Sequence, residues 1–364
     1  MNTFSKKILF LSPYPLNKAP SQRLKYEQYY RFFEEAGYEI TTSCFVDEEF
    51  WKIIYKPGNY FEKIKFTARG YLRRLRGLGN ISKYDIVYVH LWVTPLGNSF
   101  FEWMVCRSAR KIVYDIDDLI FLGHSSLANK ASQFLKGKTK PIFMMKNADH
   151  VITCTPHLDS FVKYYNERTT DISSTINTDE YKAKTDYAVK GKITLGWSGS
   201  HSTSKFLYLL KDILVDVKKE IDFKLLVIGD PEFKIEGLDI EALPWKAETE
   251  VNDLSKIDIG LYPLPDEPWV HGKSGLKALQ YMALGIPTIA TAIGANFRVI
   301  NNGVNGVLVN NEDEWKLYIK QLISNEEARK KLGTEARKTV ENSFSLHANK
   351  GKYLNVLNNL TQKR

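Results

Sequence analysis

Short runs of apolar and β-branched residues alternate along the chain with stretches in which apolar residues recur every three or four positions. The runs predict buried strands, and the spaced pattern predicts amphipathic helices. Strands that alternate with helices are typical of parallel sheets. The predicted strands are residues 7–12, 86–90, 111–114 and 150–154 in the first half of the chain, and 193–196, 224–228, 257–261, 288–291 and 306–309 in the second.

Helical patterns fill the intervals between these strands. The first of them places Tyr26, Tyr29, Tyr30 and Phe33 on one face and stops at Gly37, a residue type that commonly ends helices. The predicted helices are residues 22–36, 205–218, 276–284, 314–323 and 346–360.

The alternation predicts the α/β fold class, with two Rossmann-like doubly wound domains that face each other across a cleft. We expect an N-terminal domain at 1–185 and a second domain at 186–345, joined by a polar, lysine-rich linker. A C-terminal helix at 346–364 is expected to pack back toward the N-terminal domain. Ligands of such folds bind at the carboxyl ends of the strands, so the predicted cleft is the expected ligand site.

The composition predicts the cellular compartment of the protein and argues against two kinds of site. The 364 residues are 43% hydrophobic and 26% charged, which is ordinary for folded domains. The three cysteines have no paired spacing, which argues against a disulfide framework or a zinc site and favours a reducing compartment. The apolar start, Ile8 to Leu11, is too short for an export signal, and no run reaches the roughly 18 apolar residues of a membrane span. We therefore expect a cytoplasmic protein.

The formal charge of +9 indicates an anionic partner. Nine basic residues and a single acid, Glu62, lie between Lys52 and Lys83. One hypothesis is an amphipathic basic helix at an anionic membrane surface; the alternative is a solvated helix whose apolar stripe packs on its own domain. Nucleic acid is not predicted, because no recognition motif accompanies the charge. The stripe consists of Phe61, Ile64, Ala68, Leu72 and Leu75.

The segment HGKSGLKALQYMALGIPTIAT, residues 271–291, carries the best-marked candidate site. Ser274 is the predicted N-cap of a helix that starts near Leu276, and Gly275 permits close backbone approach. The free N–H groups of a helix start attract anions, and Lys273 and Lys277 add positive charge there. The alternative is a plain crossover helix with surface lysines.

A second loop, GWSGSHSTSK at 196–205, follows the first strand of the second domain. Its small residues allow close approach to a ligand, and Ser200, Ser202 or Ser204 can cap a helix predicted to begin near Lys205. A simple turn is the alternative. Other residues expected at this binding site are Trp197, Ser198, Gly199, Trp245, Trp269 and His271.

In the first domain, Asp115, Asp117 and Asp118 follow a predicted buried strand and point toward the cleft. An Asp-x-Asp sequence suggests a divalent cation, but we predict no metal site. The alternative is that some of the carboxylates, Asp115 in particular, cap the next helix. His90, at the end of a neighbouring strand, and Arg23 are expected on the same side of the domain.

The chain resembles the retaining glycosyltransferases of family four, which share the B-type glycosyltransferase (GT-B) architecture. The resemblance covers nearly the whole chain and is clearest from 196 to about 344. It is carried by Val227-Ile228-Gly229-Asp230, Asp258-Ile259-Gly260-Leu261, the helix from Gly275 to Pro287, and Gly303-Val304-Asn305-Gly306.

The chain departs from that family at several positions. Of the family's two glutamates eight positions apart, the first is replaced by Gly272 and the second by Gln280. Trp197 replaces an arginine, Lys205 matches a companion lysine, and Arg298 stands for a further glutamate. Asp117-Asp118 stands where the family often has a histidine-aspartate pair.

The resemblance implies a metal-independent hexosyltransferase without a cofactor. Its donor would be a UDP-sugar or GDP-sugar, and its acceptor a hydroxyl of a saccharide or lipid-linked saccharide, with retention, in cell-surface polysaccharide or glycolipid synthesis at the inner face of the membrane. Lys273 and Asp117 are the implied catalytic residues. The implied donor-binding residues are Trp197, Ser198, Gly199, Ser200, Lys205, Trp245, His271, Lys273, Ser274, Gly275, Leu276 and Gln280, and the implied acceptor-side residues are Arg23, His90, Asp115 and Asp118.

Two other functions suit the same architecture. One is a nucleotide-sugar epimerase, which needs no acceptor. The other is a two-lobed ligand-binding protein, which we consider less fitting because such proteins normally carry an export signal.

Overall fold

The computed structural model describes residues 6–117, 139–189 and 191–362. The chain forms two compact units, one of Met1–Ser173 together with Asn349–Arg364 and one of Ser174–Ala348. Each unit is built on its own parallel sheet of six strands. The predicted α/β fold class with two Rossmann-like units is therefore confirmed.

The sheet of the first unit has the strand order β2-β1-β3-β4-β5-β6. The central strand β3 reads Ile-Val-Tyr-Val-His and is buried along its whole length, as expected for a parallel strand covered on both faces. The strands are β1 Lys6–Ser12, β2 Tyr38–Cys44, β3 Ile86–His90, β4 Ile112–Asp115, β5 His150–Thr153 and β6 Thr169–Asp171. The helices are α1 Pro20–Arg23, α2 Tyr30–Glu35, α3 Glu48–Ile54, α4 Tyr60–Leu78, α5 Phe100–Ser108, α6 Thr139–Asn147 and α7 Pro156–Lys163, with 3₁₀ turns at Glu27–Tyr29 and Ile81–Lys83.

The predicted helix over 22–36 is wrong as one continuous element, since α1, a 3₁₀ turn and α2 occupy that stretch. The interruption coincides with Lys25, whose side chain is fully buried and bonds to the sheet at Asp115 and the Ile116 carbonyl. Tyr26, Tyr29 and Phe33 still pack as predicted, all fully buried.

The sheet of the second unit has the order β12-β11-β10-β7-β8-β9. This is the doubly wound Rossmann order, and it reverses direction between β7 and β10. The strands are β7 Ile193–Ser198, β8 Phe223–Ile228, β9 Ile240–Leu243, β10 Ile259–Tyr262, β11 Thr288–Thr291 and β12 Val307–Val309. The helices are α8 His201–Ser204, α9 Lys211–Glu220, α10 Glu250–Ser255, α11 Leu276–Ala283, α12 Asn296–Val299, α13 Glu312–Ser324, α14 Glu326–Thr339 and α15 Leu346–Thr361, with 3₁₀ turns at Leu207–Leu210 and Pro268–Gly272 and a π turn at Val340–Phe344.

The apolar stripe of α13 is buried as its spacing predicts, through Trp315, Ile319 and Leu322. The predicted helix over 205–218 is wrong at its start, because α8 begins at His201 and a 3₁₀ turn precedes α9. The C-terminal helix α15 belongs to the first unit from Asn349 onward, and there the ring centroids of Tyr353 and Tyr29 are 4.5 Å apart. None of the helices in the described ranges is long and apolar enough to cross a bilayer.

Gly333 in α14 provides a test of the packing. A Cβ at this buried glycine would lie 2.1 Å from the Gly285 carbonyl oxygen, so we expect Gly333→Ala to lower the free energy of unfolding by about 1–3 kcal/mol. Gly351 in α15 is exposed, and a Cβ there would meet no atom of the described residues within 4 Å, so Gly351→Ala should instead stabilise by about 0.5–1 kcal/mol. Urea unfolding of both variants measures the two changes in the free energy of unfolding. Equal changes would contradict this packing.

Candidate functional site

The loops after β7 and β8 cross at two glycines. The Gly199 N–H donates to the Ile228 carbonyl at 2.9 Å. Gly229 has φ of +109°, and a Cβ there would lie 1.7 Å from the Gly199 carbonyl oxygen. No other residue type fits this crossing without displacing one of the two loops. It fixes the backbone just beyond the carboxyl end of β7, beside the point where the sheet order reverses.

Beside this crossing, the ammonium of Lys277 lies over the ring of Trp197, 4.1 Å from its centroid, and 5.8 Å from the ring centroid of Tyr262. Its nearest polar side chain is Thr203, 3.5 Å away. No carboxylate among the described residues comes within ion-pair distance of Lys277. Burial, together with the charge of Lys273, lowers the pKa of Lys277 to about 7. The site therefore holds an amine that is charged only in part at neutral pH.

A row of two rings and two lysines lies next to Lys277. The rings of Phe206 and Trp269 are 5.5 Å apart. Lys205 lies over Phe206 at 5.3 Å, and Lys273 lies over Trp269 at 5.1 Å. The structure thus brings together Lys205 and Lys273, which are 68 positions apart in the sequence.

The start of α11 differs from the prediction in one respect. Gly275, with φ of +75°, is the N-cap, and no side chain caps the helix. The predicted cap, Ser274, instead has its hydroxyl 2.9 Å from the hydroxyl of Ser174. Leu276 is the first helical residue, and His271 lies in the 3₁₀ turn before it. The free N–H groups at the start of α11 therefore have no side-chain cap among the described residues.

The β7 loop is held by neighbouring side chains. The Ser198 N–H donates to the Tyr281 hydroxyl at 2.7 Å. Ser200 is the N-cap of α8, and its N–H donates to the Thr203 hydroxyl at 3.1 Å. The helix begins at His201 rather than near Lys205.

Gln280 and Trp245, both predicted to bind the donor, meet at Glu250. The Gln280 amide donates to Glu250 Oε1 at 3.0 Å and to the Tyr181 hydroxyl at 2.9 Å. The Trp245 indole N–H donates to the same Glu250 oxygen at 2.9 Å. Glu250 is 3% exposed, so this cluster is a buried polar group around Gln280, which lies one turn after Lys277 on the same face of α11.

In the first unit, the carboxylate of Asp115 is the centre of a buried polar cluster. It pairs with Lys25, accepts from the Tyr88 hydroxyl at 2.6 Å, and lies 3.4 Å from His90 Nδ1. Burial alone would raise its pKa, but the Lys25 ammonium and His90 lower the pKa of Asp115 to about 2. The pair therefore contributes stability at neutral pH and loses it as the pH falls from about 4 toward 2.

Asp117 lies at the edge of this cluster. Its carboxylate is 3.9 Å from the Lys25 ammonium, and its side chain is 16% exposed. Asp115 and His90 are fully buried, so of the predicted first-unit residues Asp117 is better placed to meet a ligand. Arg23 ends α1, two positions before Lys25. Asp118 lies outside the described residues.

Several residues of these clusters were not predicted to be at the site, among them Lys25, Tyr181, Glu250 and Tyr262. Most of their contacts join residues that are distant in sequence, and no local pattern marks them. Lys277 did carry a signal, since it is the one charged residue in the apolar run LKALQYMAL. A surface depression of about 610 Å³ beside Arg298 is lined by none of the predicted site residues.

Comparison with known proteins gives the context of this geometry. Residues 192–325 match the family model of the glycosyl transferases group 1. An uncharacterized glycosyltransferase of Methanocaldococcus jannaschii is 36% identical over 138 residues, 35% of this chain and 38% of the relative. The N-acetyl-alpha-D-glucosaminyl L-malate synthase of Bacillus anthracis is 32% identical over 136 residues, 34% of each chain. The chain thus spans little more than a third of the curated relatives it matches.

Among solved structures, HepE of Anabaena in complex with UDP superposes with a TM-score of 0.69, at 15% identity, over 97% of this chain and 100% of that one. This likeness confirms the two-domain GT-B fold. Together with the matched domain, it confirms the resemblance to family-four glycosyltransferases.

Replacing Lys25 tests the buried cluster. Lys25→Met leaves Asp115 charged and buried without its counter-ion, which should lower the free energy of unfolding by about 3–5 kcal/mol. The partly exposed pair of Lys111 and Asp149, 2.8 Å apart, provides the control: Lys111→Met should cost at most about 1 kcal/mol. Urea unfolding followed by tryptophan fluorescence measures both, and a Lys25→Met midpoint as high as that of Lys111→Met would refute the pairing.

Proposed function

We propose that this chain, whose second unit contains a glycosyl transferases group 1 domain, transfers a hexose from a nucleoside-diphosphate sugar to an acceptor hydroxyl with retention. The observation that carries the proposal is the group of lysines at the reversal point of the second sheet. Lys277 is held on aromatic rings without a carboxylate partner in the described chain, and Lys273 lowers its pKa further. An anion with more than one charge is the ligand that would best stabilise both ammonium groups.

A sugar diphosphate meets that requirement without a metal ion. When the bond from the anomeric carbon to the diphosphate oxygen breaks, negative charge accumulates on the leaving diphosphate. Preorganised positive groups that face this charge lower the barrier. In this proposal Lys273, Lys277 and the N–H groups at the start of α11 supply them, with Lys205 beside them on Phe206.

We assign the nucleoside to the next turn of α11, at Gln280, on the same face as Lys277. Gln280 uses its amide N–H groups on Glu250 and Tyr181, which leaves its carbonyl oxygen to accept from a ribose hydroxyl. Trp245 is fixed by the same glutamate and offers a ring face near the base. The HepE structure has UDP bound, so uridine is the first nucleoside to test, with guanosine second.

The acceptor belongs to the first unit in this proposal. Asp117, partly exposed beside Lys25, would contact the acceptor hydroxyl or the positive charge that develops on the sugar. The acceptor class is a saccharide or lipid-linked saccharide of cell-surface polysaccharide or glycolipid synthesis, reached by peripheral association with the membrane. An isomerised nucleotide sugar without release of nucleoside diphosphate would instead identify an epimerase.

Lys273→Ala should lower turnover about a hundredfold, as the loss of one stabilising contact to the leaving group does. Release of UDP from UDP-glucose and related donors, in the presence of a saccharide acceptor panel, measures it. Lys330→Ala, an exposed lysine of α14, is the control and should leave turnover unchanged. Near-normal turnover of the Lys273 variant would remove this lysine from the mechanism.

Lys277→Met should weaken UDP binding at about pH 6 and abolish its pH dependence. In the native protein, protonated Lys277 attracts the diphosphate, so affinity should fall by up to about tenfold per pH unit above its pKa of about 7. Calorimetric titration with UDP between about pH 6 and about pH 9 measures the trend.

The ligand-free protein provides an independent control for the same residue. Because the pKa of Lys277 is lower in the folded chain than in the unfolded one, the free energy of unfolding should rise with pH between about 7 and about 10. Lys277→Met should lose that part of the rise. Identical pH profiles of binding for the variant and the native protein would rule out the role of Lys277.

A further inference from the structure

Helix α4 presents its apolar stripe outward. Phe61 is 78% exposed, Ile64 69%, and Leu72 and Leu75 51% each, and Ala68 is exposed as well. At 3.6 residues per turn these five positions fall within about 80° of the helix circumference. We call them the α4 face. Exposure of the stripe argues against one of the two interpretations of this segment, since the described residues do not bury it against their own domain.

The opposite side of α4 attaches the helix to the first unit through aromatic and polar contacts. Phe66 stacks on Phe50 with ring centroids 5.6 Å apart, and Tyr71 packs edge-on against Phe45 at 5.3 Å. Gly70 sits directly on the ring of Phe45, where a Cβ would be 2.7 Å from a ring carbon. Arg74 is buried and donates to the carbonyls of Val93, Ser43 and Ser12 at 2.8 Å each. Arg73 donates to the Cys44 and Phe45 carbonyls. These contacts fix the rotation of the helix, so the outward direction of the stripe is built in.

The exposed apolar surface continues onto the neighbouring helix. Tyr71 packs against Phe101 of α5, with ring centroids 5.4 Å apart. Phe100 and Trp103, on the same helix, are each 52% exposed. Exposed apolar groups that adjoin across two helices mark a surface that meets an apolar partner.

Basic side chains flank the α4 face. Lys65, Arg69 and Arg76 lie along one edge of the stripe and are exposed. Lys65 pairs with Glu62 at 3.3 Å and Arg69 with Glu49 at 2.9 Å. Arg76 makes no ion pair with any residue that the structure describes, so its charge remains for a partner. Apolar groups edged by basic side chains complement a surface that is apolar inside and anionic at its boundary.

We propose that the α4 face docks the first unit on an anionic lipid surface, with α4 lying in the plane of the headgroups. Phe61, Ile64, Leu72 and Leu75 enter the boundary with the acyl chains, and Arg76, with the neighbouring Lys65 and Arg69, meets lipid phosphates. This deepens the proposed function by placing a lipid-linked acceptor at the same surface. Docking itself needs neither donor nor acceptor, so it can be tested separately from turnover.

The test is flotation of the full-length protein with phosphatidylcholine vesicles, with and without phosphatidylglycerol. The native protein should float with the anionic vesicles, and less at high salt, because screening weakens the phosphate contacts. Phe61→Ser with Leu72→Ser should lower the partition coefficient at least about tenfold. Arg76→Gln should lower it about fivefold. Both variants should keep native UDP binding.

The matched control is Leu317→Ser with Val304→Ser, which replaces two exposed apolar residues of the second unit and should leave flotation unchanged. Recovery of the native protein that does not depend on phosphatidylglycerol would overturn the proposal, as would full recovery of the Phe61/Leu72 variant. A dimer in sedimentation velocity that the Phe61/Leu72 substitutions dissociate, without lipid binding, would assign the face to a second copy of the chain instead. Loss of UDP binding in native protein that still floats would count against the donor site alone.

Discussion

The carboxyl ends of the parallel strands determine where the loops of the candidate site lie. In a doubly wound sheet every strand delivers its loop to the same edge, and the order reversal between β7 and β10 opens a gap there. Gly199 and Gly229 lack a Cβ, so two of these loops can touch. This close crossing leaves room for the side chains of Trp197, Tyr262 and Lys277 to meet beside it. The proposed donor site depends on that backbone crossing as much as on any charged side chain.

Two lysines show how environment decides what a buried amine does. Lys25 faces Asp115 and Asp117, and those carboxylates raise its pKa against the opposing effect of burial. It is a structural cation, permanently charged. Lys277 faces rings and another lysine, and its pKa falls to about 7. The first has its counter-ion within the protein, whereas the second is expected to obtain one from a ligand.

Sequence patterns predicted the fold well where burial controls the pattern. The predicted strands 86–90 and 288–291 match β3 and β11 residue for residue, because continuous β-branched runs suit strands buried on both faces. The edge strands β2, β6 and β9 were not predicted, since each is at most half-buried along most of its length and lacks such a run. The helix over 22–36 was predicted as unbroken because the tyrosine spacing gives no sign that Lys25 turns inward.

The candidate site was predictable only in part, for a related reason. Local chemistry located Lys273, Gly275 and Gln280, which share one short segment. Local sequence patterns could not locate Glu250 or Tyr181, whose hydrogen bonds with Gln280 span 30 and 99 positions. The apolar stripe of α4 was recognised, but its direction depends on Gly70 and on arginine bonds to backbone carbonyls, which periodicity does not report.

The way α4 is fastened also bears on how the first unit behaves in water. A helix anchored by Phe66, Tyr71, a glycine contact and arginine–carbonyl bonds does not need the residues of the α4 face for cohesion, so these outward residues can be exchanged without loosening the fold. When no partner is present, the same arrangement exposes the apolar side chains of the α4 face to water. This exposure favours self-association of the protein as its concentration rises. The behaviour of the purified protein, including its tolerance of mild detergent, is therefore expected to depend on the outward rotation of α4.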